Sequence, residues 1–216
     1  DAHTFKNKLV PFRSSESGDD APTTSKKKNF AVALRTGTTY SLYALGVKSG
    51  VTNAEVLYKN LTTGAATDLD DNAWAATANN QSTNTFSWFE LFVFYRQTGL
   101  IYGARGTSAT AGTAIWAYDP SGVAAFAESS LSITFTHIGQ GLVHSKDDKL
   151  YVPYYNNAGT AGAKSFIAKN DSGVWTAVAL TLPDHLIPVS LSEYGNHLAI
   201  GCKPASGVGE SVTYLW

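Results

Sequence analysis

From about residue 30 onward the chain runs in short stretches of alternating apolar and polar residues, broken at close intervals by Gly, Asn, Asp, Ser or Thr. Alternation with a period of two predicts strands, because successive side chains leave a strand on opposite faces. Phe30, Val32 and Leu34 lead into the turn Arg35-Thr36-Gly37, and Phe89, Leu91 and Val93 lead into Gln97-Thr98-Gly99. Leu142 and Val143 lead into Lys146-Asp147-Asp148, and Val189 and Leu191 into Tyr194-Gly195-Asn196. Each turn opens a similar anchor strand: Ser41-Leu42-Tyr43-Ala44, Leu100-Ile101-Tyr102-Gly103, Lys149-Leu150-Tyr151-Val152 and His197-Leu198-Ala199-Ile200. Tyr43, Tyr102, Tyr151 and Ala199 thereby fall at equivalent places. After each anchor come a loop of small residues and a further strand, at 54–58, 114–118, 165–168 and 212–216. The first three units then reach a polar turn, such as Asn170-Asp171-Ser172-Gly173, where Asn or Asp caps the backbone and Gly supplies positive φ.

Three antiparallel strands joined by short hairpins, repeated four times at roughly 50 residues, predict a repeat architecture. The linking segments 71–77, 132–138 and 180–186 are expected to supply one further strand each, the inner strand of the next unit. Four-stranded units of this length are blades of a β-propeller: one blade has two apolar faces, cannot bury them alone, and stacks on its neighbours. A sandwich or jelly roll would use similar strands but has no need of the same motif four times. The expected fold is all-β, a β-propeller with about four blades, either as a compact ring or as part of a larger propeller. The blades are placed at 29–70, 71–130, 131–179 and 180–216. Ahead of them, 1–28 holds a short apolar strand, Lys8-Leu9-Val10-Pro11-Phe12, able to pair with the last blade, and a polar linker at 14–28.

Composition agrees with a β-rich chain. Charged residues make up 15%, against roughly 25% in an average soluble domain, and Gly, Ser, Thr and Ala are abundant. Sixteen basic residues balance seventeen acidic ones, a net charge of -1. No global field draws in nucleic acid, so no nucleic-acid partner is expected. No apolar run is long enough for a spanning helix, so no membrane insertion is expected, and no signal-peptide pattern follows Asp1. Cys202 is the single cysteine and excludes an internal disulfide; within the apolar run 198–202 it reads as a small buried hydrophobe. Asn60-Leu61-Thr62, Asn80-Gln81-Ser82 and Asn170-Asp171-Ser172 match the N-glycosylation acceptor pattern, which matters only in a eukaryotic secretory pathway.

Candidate chemistry is sparse. The histidines at 3, 137, 144, 185 and 197 include no pair with zinc-ligand spacing; His137 and His144 flank the turn Gly139-Gln140-Gly141 and could approach each other. Asp68-Leu69-Asp70-Asp71-Asn72 has the early oxygen ligands of a calcium loop, but Ala73 and Asn79 stand where Gly and Glu are required. Asp147 and Asp148 share a tight turn and are expected to point apart into water. No catalytic, cofactor-binding or metal-ligating residue is predicted, and no cofactor. Aromatics are the informative feature: Phe86, Trp88, Phe89, Phe92, Phe94 and Tyr95 lie close together, as do Tyr151, Tyr154 and Tyr155. On strands, half of them pack between blades and the rest can meet a partner. Trp88, Phe92, Tyr95, Tyr154 and Tyr155 are the candidates for contact with a protein partner or a glycan.

Several segments carry a family resemblance. Gly141-Leu142-Val143-His144-Ser145-Lys146-Asp147, Leu180-Thr181-Leu182-Pro183, the run from Glu193-Tyr194-Gly195-Asn196 to Cys202, and Tyr214-Leu215-Trp216 resemble propeller-repeat proteins of tailed bacteriophages, over about 30–216. The resemblance is one of pattern. It implies a non-enzymatic virion component of a tail, baseplate, fibre or capsid decoration, located in the virion or outside the cell, with other structural proteins or copies of itself as partners. Asp171-Ser172-Gly173-Val174-Trp175 resembles the Asp-box turn of sialidase propellers, one residue short, and Arg13, Arg35, Arg96 and Arg105 do not recur at one blade position as an enzyme of that class would require. Fungal six-bladed fucose lectins share the period and use an Arg and a Glu in each blade; here Arg35 and Glu55 occur in the first unit and the later units lack the pair. A carbohydrate-binding propeller that recognises cell-surface glycan is the alternative, and a propeller glycosidase the second alternative.

Overall fold

The computed structural model describes the backbone of residues 30–36, 39–47, 54–60, 74–76, 91–108, 111–118 and 127–216, and the side chains of 91–104, 111–117, 131 and 133–216. Within these residues the chain is all-β, in several antiparallel sheets and without a helix. No helix is therefore long and apolar enough to cross a membrane.

The strands follow one another as meanders. The first sheet joins β1 (Phe30–Thr36), β2 (Thr39–Val47), β3 (Ala54–Asn60) and β4 (Trp74–Ala76) in that order. The second joins β5 (Phe92–Tyr95), β6 (Leu100–Ser108), β7 (Ala111–Tyr118) and β8 (Ala127–Phe135). In the third, β9 (His137–Ile138) and β10 (Leu142–Val143) pair with the two ends of β11 (Leu150–Tyr155), which is followed by β12 (Ser165–Asp171) and β13 (Val174–Leu180). The fourth contains β14 (Leu186–Tyr194), β15 (His197–Pro204) and β16 (Val212–Leu215).

Tyr43, Tyr102, Tyr151 and Ala199 lie on β2, β6, β11 and β15. Each is the middle strand of the three-stranded core common to the four sheets, as the sequence repeat requires. The linking segments differ from expectation. β4 pairs with β3 and β8 with β7, so the extra strand closes the unit before it and does not open the next. Residues 132–138 are divided, with Phe135 ending the second sheet and His137 starting the third, while 180–186 supplies only the end of β13 and the start of β14. The second unit accordingly extends beyond residue 130 and the first beyond residue 70. The proposed strand at 8–12, the linker at 14–28, Trp88 and the acidic run 68–72 lie outside the described residues.

Turn chemistry sets these hairpins. Ser172 and Gly173 both take positive φ, 52° and 99°, the primed turn whose twist matches its flanking strands, and Asn170 Oδ1 accepts from the Gly173 amide at 2.7 Å. Asp148 adopts φ 55°, the left-handed conformation that Asp tolerates better than most side chains. Asn170 is fully buried, so the acceptor pattern at that position is closed to a glycan on the folded chain.

Alternation along β11 explains how the sheets stack. Leu150, Val152 and Tyr154 face the second sheet, forming one core with Tyr95, Tyr102, Ile115 and Phe135, while Trp175 of β13 joins from the same face. Tyr151 faces the other way, into a core with Ile167, Leu180, Leu186, Leu198, Ile200 and Cys202. The middle strand β11 is thus buried on both faces, between the second and fourth sheets, while most of β13 stays exposed. Cross-strand partners share a face, so Trp216, whose backbone pairs with Leu198, lies on the inner face of the fourth sheet. Ala199 points to the opposite, outer face with Leu215 and Ser192.

Two aromatic seams repeat the same contact. Tyr102 meets Trp175 of the next sheet edge-on, with centroids 5.3 Å apart, and Tyr151 meets Trp216 of its next sheet edge-on at 6.0 Å. Replacing Tyr102 or Tyr151 with Ala removes a buried ring, a change that typically costs about 3–5 kcal/mol. The melting temperature is expected to fall on the order of 10 °C for either variant, and to stay nearly unchanged for Val208→Ser, whose side chain is exposed. Equal small shifts at all three positions, read by calorimetry, would remove the rings from the core. A Cβ at Gly139 would collide with the Val189 carbonyl of β14, so Gly139→Ala is expected to destabilise the contact between the third and fourth sheets as strongly as a ring truncation.

Candidate functional site

Corresponding turns before β6, β11 and β15 gather at one end of the stack and hydrogen-bond to one another. Between the second and third sheets the Tyr95 hydroxyl donates to the Asp148 carbonyl at 2.8 Å, and Gln97 Nε2 donates to Asp148 Oδ2 at 3.0 Å. The Ser172 hydroxyl donates to Gln97 Oε1 and the Ser172 amide to the Tyr95 hydroxyl. Between the third and fourth sheets Ser145 donates both its amide and its hydroxyl to the Glu193 carboxylate, and Lys146 Nζ donates to Asn196 Oδ1 at 2.6 Å.

A cleft opens in the second of these seams, with about 80 Å³ of room, lined by His144, Asp147, Tyr151, Asn196, Leu198 and Trp216. The turn before β11 supplies His144 and Asp147, β11 supplies Tyr151, and the fourth sheet supplies the remaining wall. Asp147 organises the cluster: its Oδ2 accepts from the Tyr151 hydroxyl at 2.6 Å, and its Oδ1 accepts from the Lys149 amide at 3.3 Å. His144 Nδ1 also lies 3.3 Å from Asp147 Oδ1. Apart from this contact with Asp147, neither ring nitrogen of His144 has a hydrogen-bond partner, although the residue is only 5% exposed. Most buried polar atoms in proteins find a partner, which makes such a group informative.

The electrostatics follow the hydrogen bonds. Burial pushes the Asp147 carboxyl up, but the bonds from Tyr151 and the Lys149 amide, with His144 nearby, outweigh it and hold the group below the ordinary carboxylate range. The Ser145 hydroxyl and amide hold Glu193 low as well. Burial, reinforced by the Asp147 charge, moves the Tyr151 hydroxyl far above its usual value, so it remains a donor at any physiological pH. His144 and Asp147 are two candidate metal ligands, short of the three or four that protein metal sites provide, and among the described residues no three His, Cys, Asp or Glu side chains converge.

The aromatics singled out from the sequence are not at this site. Phe92 is 4%, Tyr95 0%, Tyr154 4% and Tyr155 2% exposed, which corrects the reading of them as contact residues. Tyr154 stacks on Phe166 at 4.9 Å and burial lifts its hydroxyl to about 12; Tyr155 donates its hydroxyl to the Asp184 carbonyl. Their rings are consumed in packing between sheets, where a strand buried on both faces leaves no side for a partner. His137 and His144 go to different partners: His137 lies against Thr136 and Tyr155, and His144 against Asp147 and Tyr151. Cys202 is buried and its thiol is lifted to about 11 by burial, an inert side chain as the apolar run 198–202 implies. Asp147 and Asp148 do part, but Asp147 turns to the seam and not simply to water. One spacing could have found it: Tyr151 reaches the side chain four residues earlier, and Tyr102 does the same, donating to Thr98 Oγ1 at 3.3 Å.

A carboxyl with a depressed folded-state pKa contributes stability that is present above its unfolded value and is lost as pH falls through the folded one. The difference in melting temperature between the native chain and Asp147→Asn is therefore expected to be largest near neutral pH and to shrink as the pH falls below about 4. A difference that stayed constant or grew from pH 6 to pH 2.5 would show that Asp147 ionisation does not support the seam.

No family model matches the chain, and no curated protein matches it significantly.

Proposed function

We propose that the chain is a non-enzymatic structural and interaction module built from propeller-type blades, a component of a tailed-phage virion that acts in the particle or outside the cell alongside copies of itself or other structural proteins. The observation that carries this reading is the use of one antiparallel meander four times in chain order, with the third sheet locked to the second and the fourth through apolar faces and turns. Rings that a binding protein would display are spent on rigidity. Glycoside hydrolysis by a carboxylate pair needs one carboxylic acid kept protonated near neutral pH. Asp147 and Glu193, which face the same seam, are both held ionised, which speaks against the glycosidase alternative. The expected behaviour of the full chain is assembly into a discrete oligomer by light scattering, disc-shaped particles of radially stacked sheets by electron microscopy, and no turnover of aryl glycosides. Turnover abolished by Asp147→Asn, or particles in which the sheets form a two-layer sandwich, would overturn it.

Carbohydrate binding is the second reading, favoured by one observation: Trp216, 42% exposed, stands beside His144, Asp147 and Asn196 at the mouth of the cleft. An aromatic wall next to convergent polar groups is what sugars require of a protein surface. Retention of the folded chain on a glycan array is the expected outcome, and an array without signal removes this reading.

A further inference from the structure

We infer that the cleft between the turn before β11 and the inner face of the fourth sheet binds a vicinal diol, the edge of a neutral sugar ring. This inference rests on the carbohydrate-binding reading and assigns it a site. The comparison of the two seams points to it. In the seam between the second and third sheets Gln97, Asp148, Ser172 and Tyr95 bond to one another, and the buried Asn170, whose Oδ1 accepts from the Gly173 amide, leaves only its Nδ2 without a partner. In the corresponding place of the next seam His144 is buried to the same degree as core residues and lines the cleft; its Nδ1 faces only Asp147 Oδ1, at 3.3 Å, and its Nε2 has no hydrogen-bond partner.

The groups around the cleft have a specific capacity. Asp147 beside Nδ1 favours the proton on that nitrogen, leaving Nε2 an acceptor. Asp147 Oδ1 faces the Lys149 amide and His144 Nδ1, while Oδ2 accepts from Tyr151 and keeps a second accepting position. Asn196 uses its Oδ1 on Lys146 and keeps its amide donors. A hydroxyl both donates and accepts, so a pair of adjacent hydroxyls can give to His144 and Asp147 and receive from Asn196. A cleft of about 80 Å³ has room for a few waters, and so for the hydroxyls of a ring edge that replace them. The rest of a ring would lie outside, against Trp216. A charged ligand is disfavoured in either sign: an anion would meet the ionised Asp147, and a cation would meet only one carboxylate in a site whose other groups are neutral.

The test uses the full chain and methyl glycosides of glucose, galactose and mannose, with cyclohexanol as a probe lacking the diol. The Trp216 indole N–H resonance, assigned by Trp216→Phe, is expected to shift with at least one glycoside and not with cyclohexanol. His144→Phe, which fills the cleft, and Asn196→Ala, which also removes the exposed bond from Lys146, should each weaken that binding about fivefold to tenfold, the loss of one hydrogen bond, with only a small drop in melting temperature for the second. No shift with any glycoside on the folded chain overturns the site, as does a shift that both variants retain. If a glycan array is positive while the cleft variants bind normally, the carbohydrate reading stands and the site assigned to it falls.

Discussion

A sheet that is apolar on both faces is the constraint from which the rest of this structure follows. Leu150, Val152 and Tyr154 on one side of β11 and Tyr151 on the other are all nearly removed from water, which no single sheet can achieve. At about 25 cal/mol per Å² of apolar surface, leaving either face exposed would cost more than a domain's net stability can bear. The third sheet must therefore lie between two others, and the meander connections make those its neighbours in the chain. Close approach needs small residues where backbones meet, which accounts for Gly139 against Val189; Gly103 instead leaves room within the second sheet for the ring of its cross-strand partner Trp116.

Stacking through apolar faces fixes the distance between sheets but not their rotation, since dispersion and hydrophobic contact carry little direction. Direction comes from the turns. Tyr95 reaches the Asp148 backbone and Ser145 grips Glu193, so each sheet is pinned at the same end to the next. These bonds are partly exposed and individually modest. Their contribution is orientation, and they place the ring of Trp216 over Tyr151 and His144 beside Asp147.

Much of the architecture was legible in the sequence because it rests on period. Alternation, the turn residues and the recurrence of the anchor strand depend on local chemistry, and the four anchor strands lie where that pattern puts them. Which sheet claims a linking strand is a different matter: β4 and β8 could pair on either side as far as their residues show, and the outcome depends on registers set by the preceding strand. Burial of the aromatics was misjudged at Phe92, Tyr95, Tyr154 and Tyr155 for a related reason. Alternation says that neighbours face opposite ways, not that both ways are inside. The cleft was not visible at all, since it joins Asp147 to Trp216 across two sheets; its one local trace is the four-residue step from Asp147 to Tyr151, shared with Thr98 and Tyr102.

The fourth sheet shows how that constraint ends. Its inner face, with Leu198, Ile200 and Cys202, is as apolar as any in the stack. Its outer face carries Ser190, Ser192, His197 and Thr213, all exposed, with Ala199 at the position that holds a tyrosine in the second and third sheets. A ring at that place exists to meet the next sheet, as Tyr102 meets Trp175 and Tyr151 meets Trp216. Without it, and with serines and threonine around it, this face offers little apolar surface for a neighbour. Tyr194 and Leu215 stand exposed at its margin. The same sheet thus turns a polar face outward and, on its inner side, completes the seam in which His144 lies beside Asp147 and Trp216, so this cleft forms where the anchor strand loses its tyrosine.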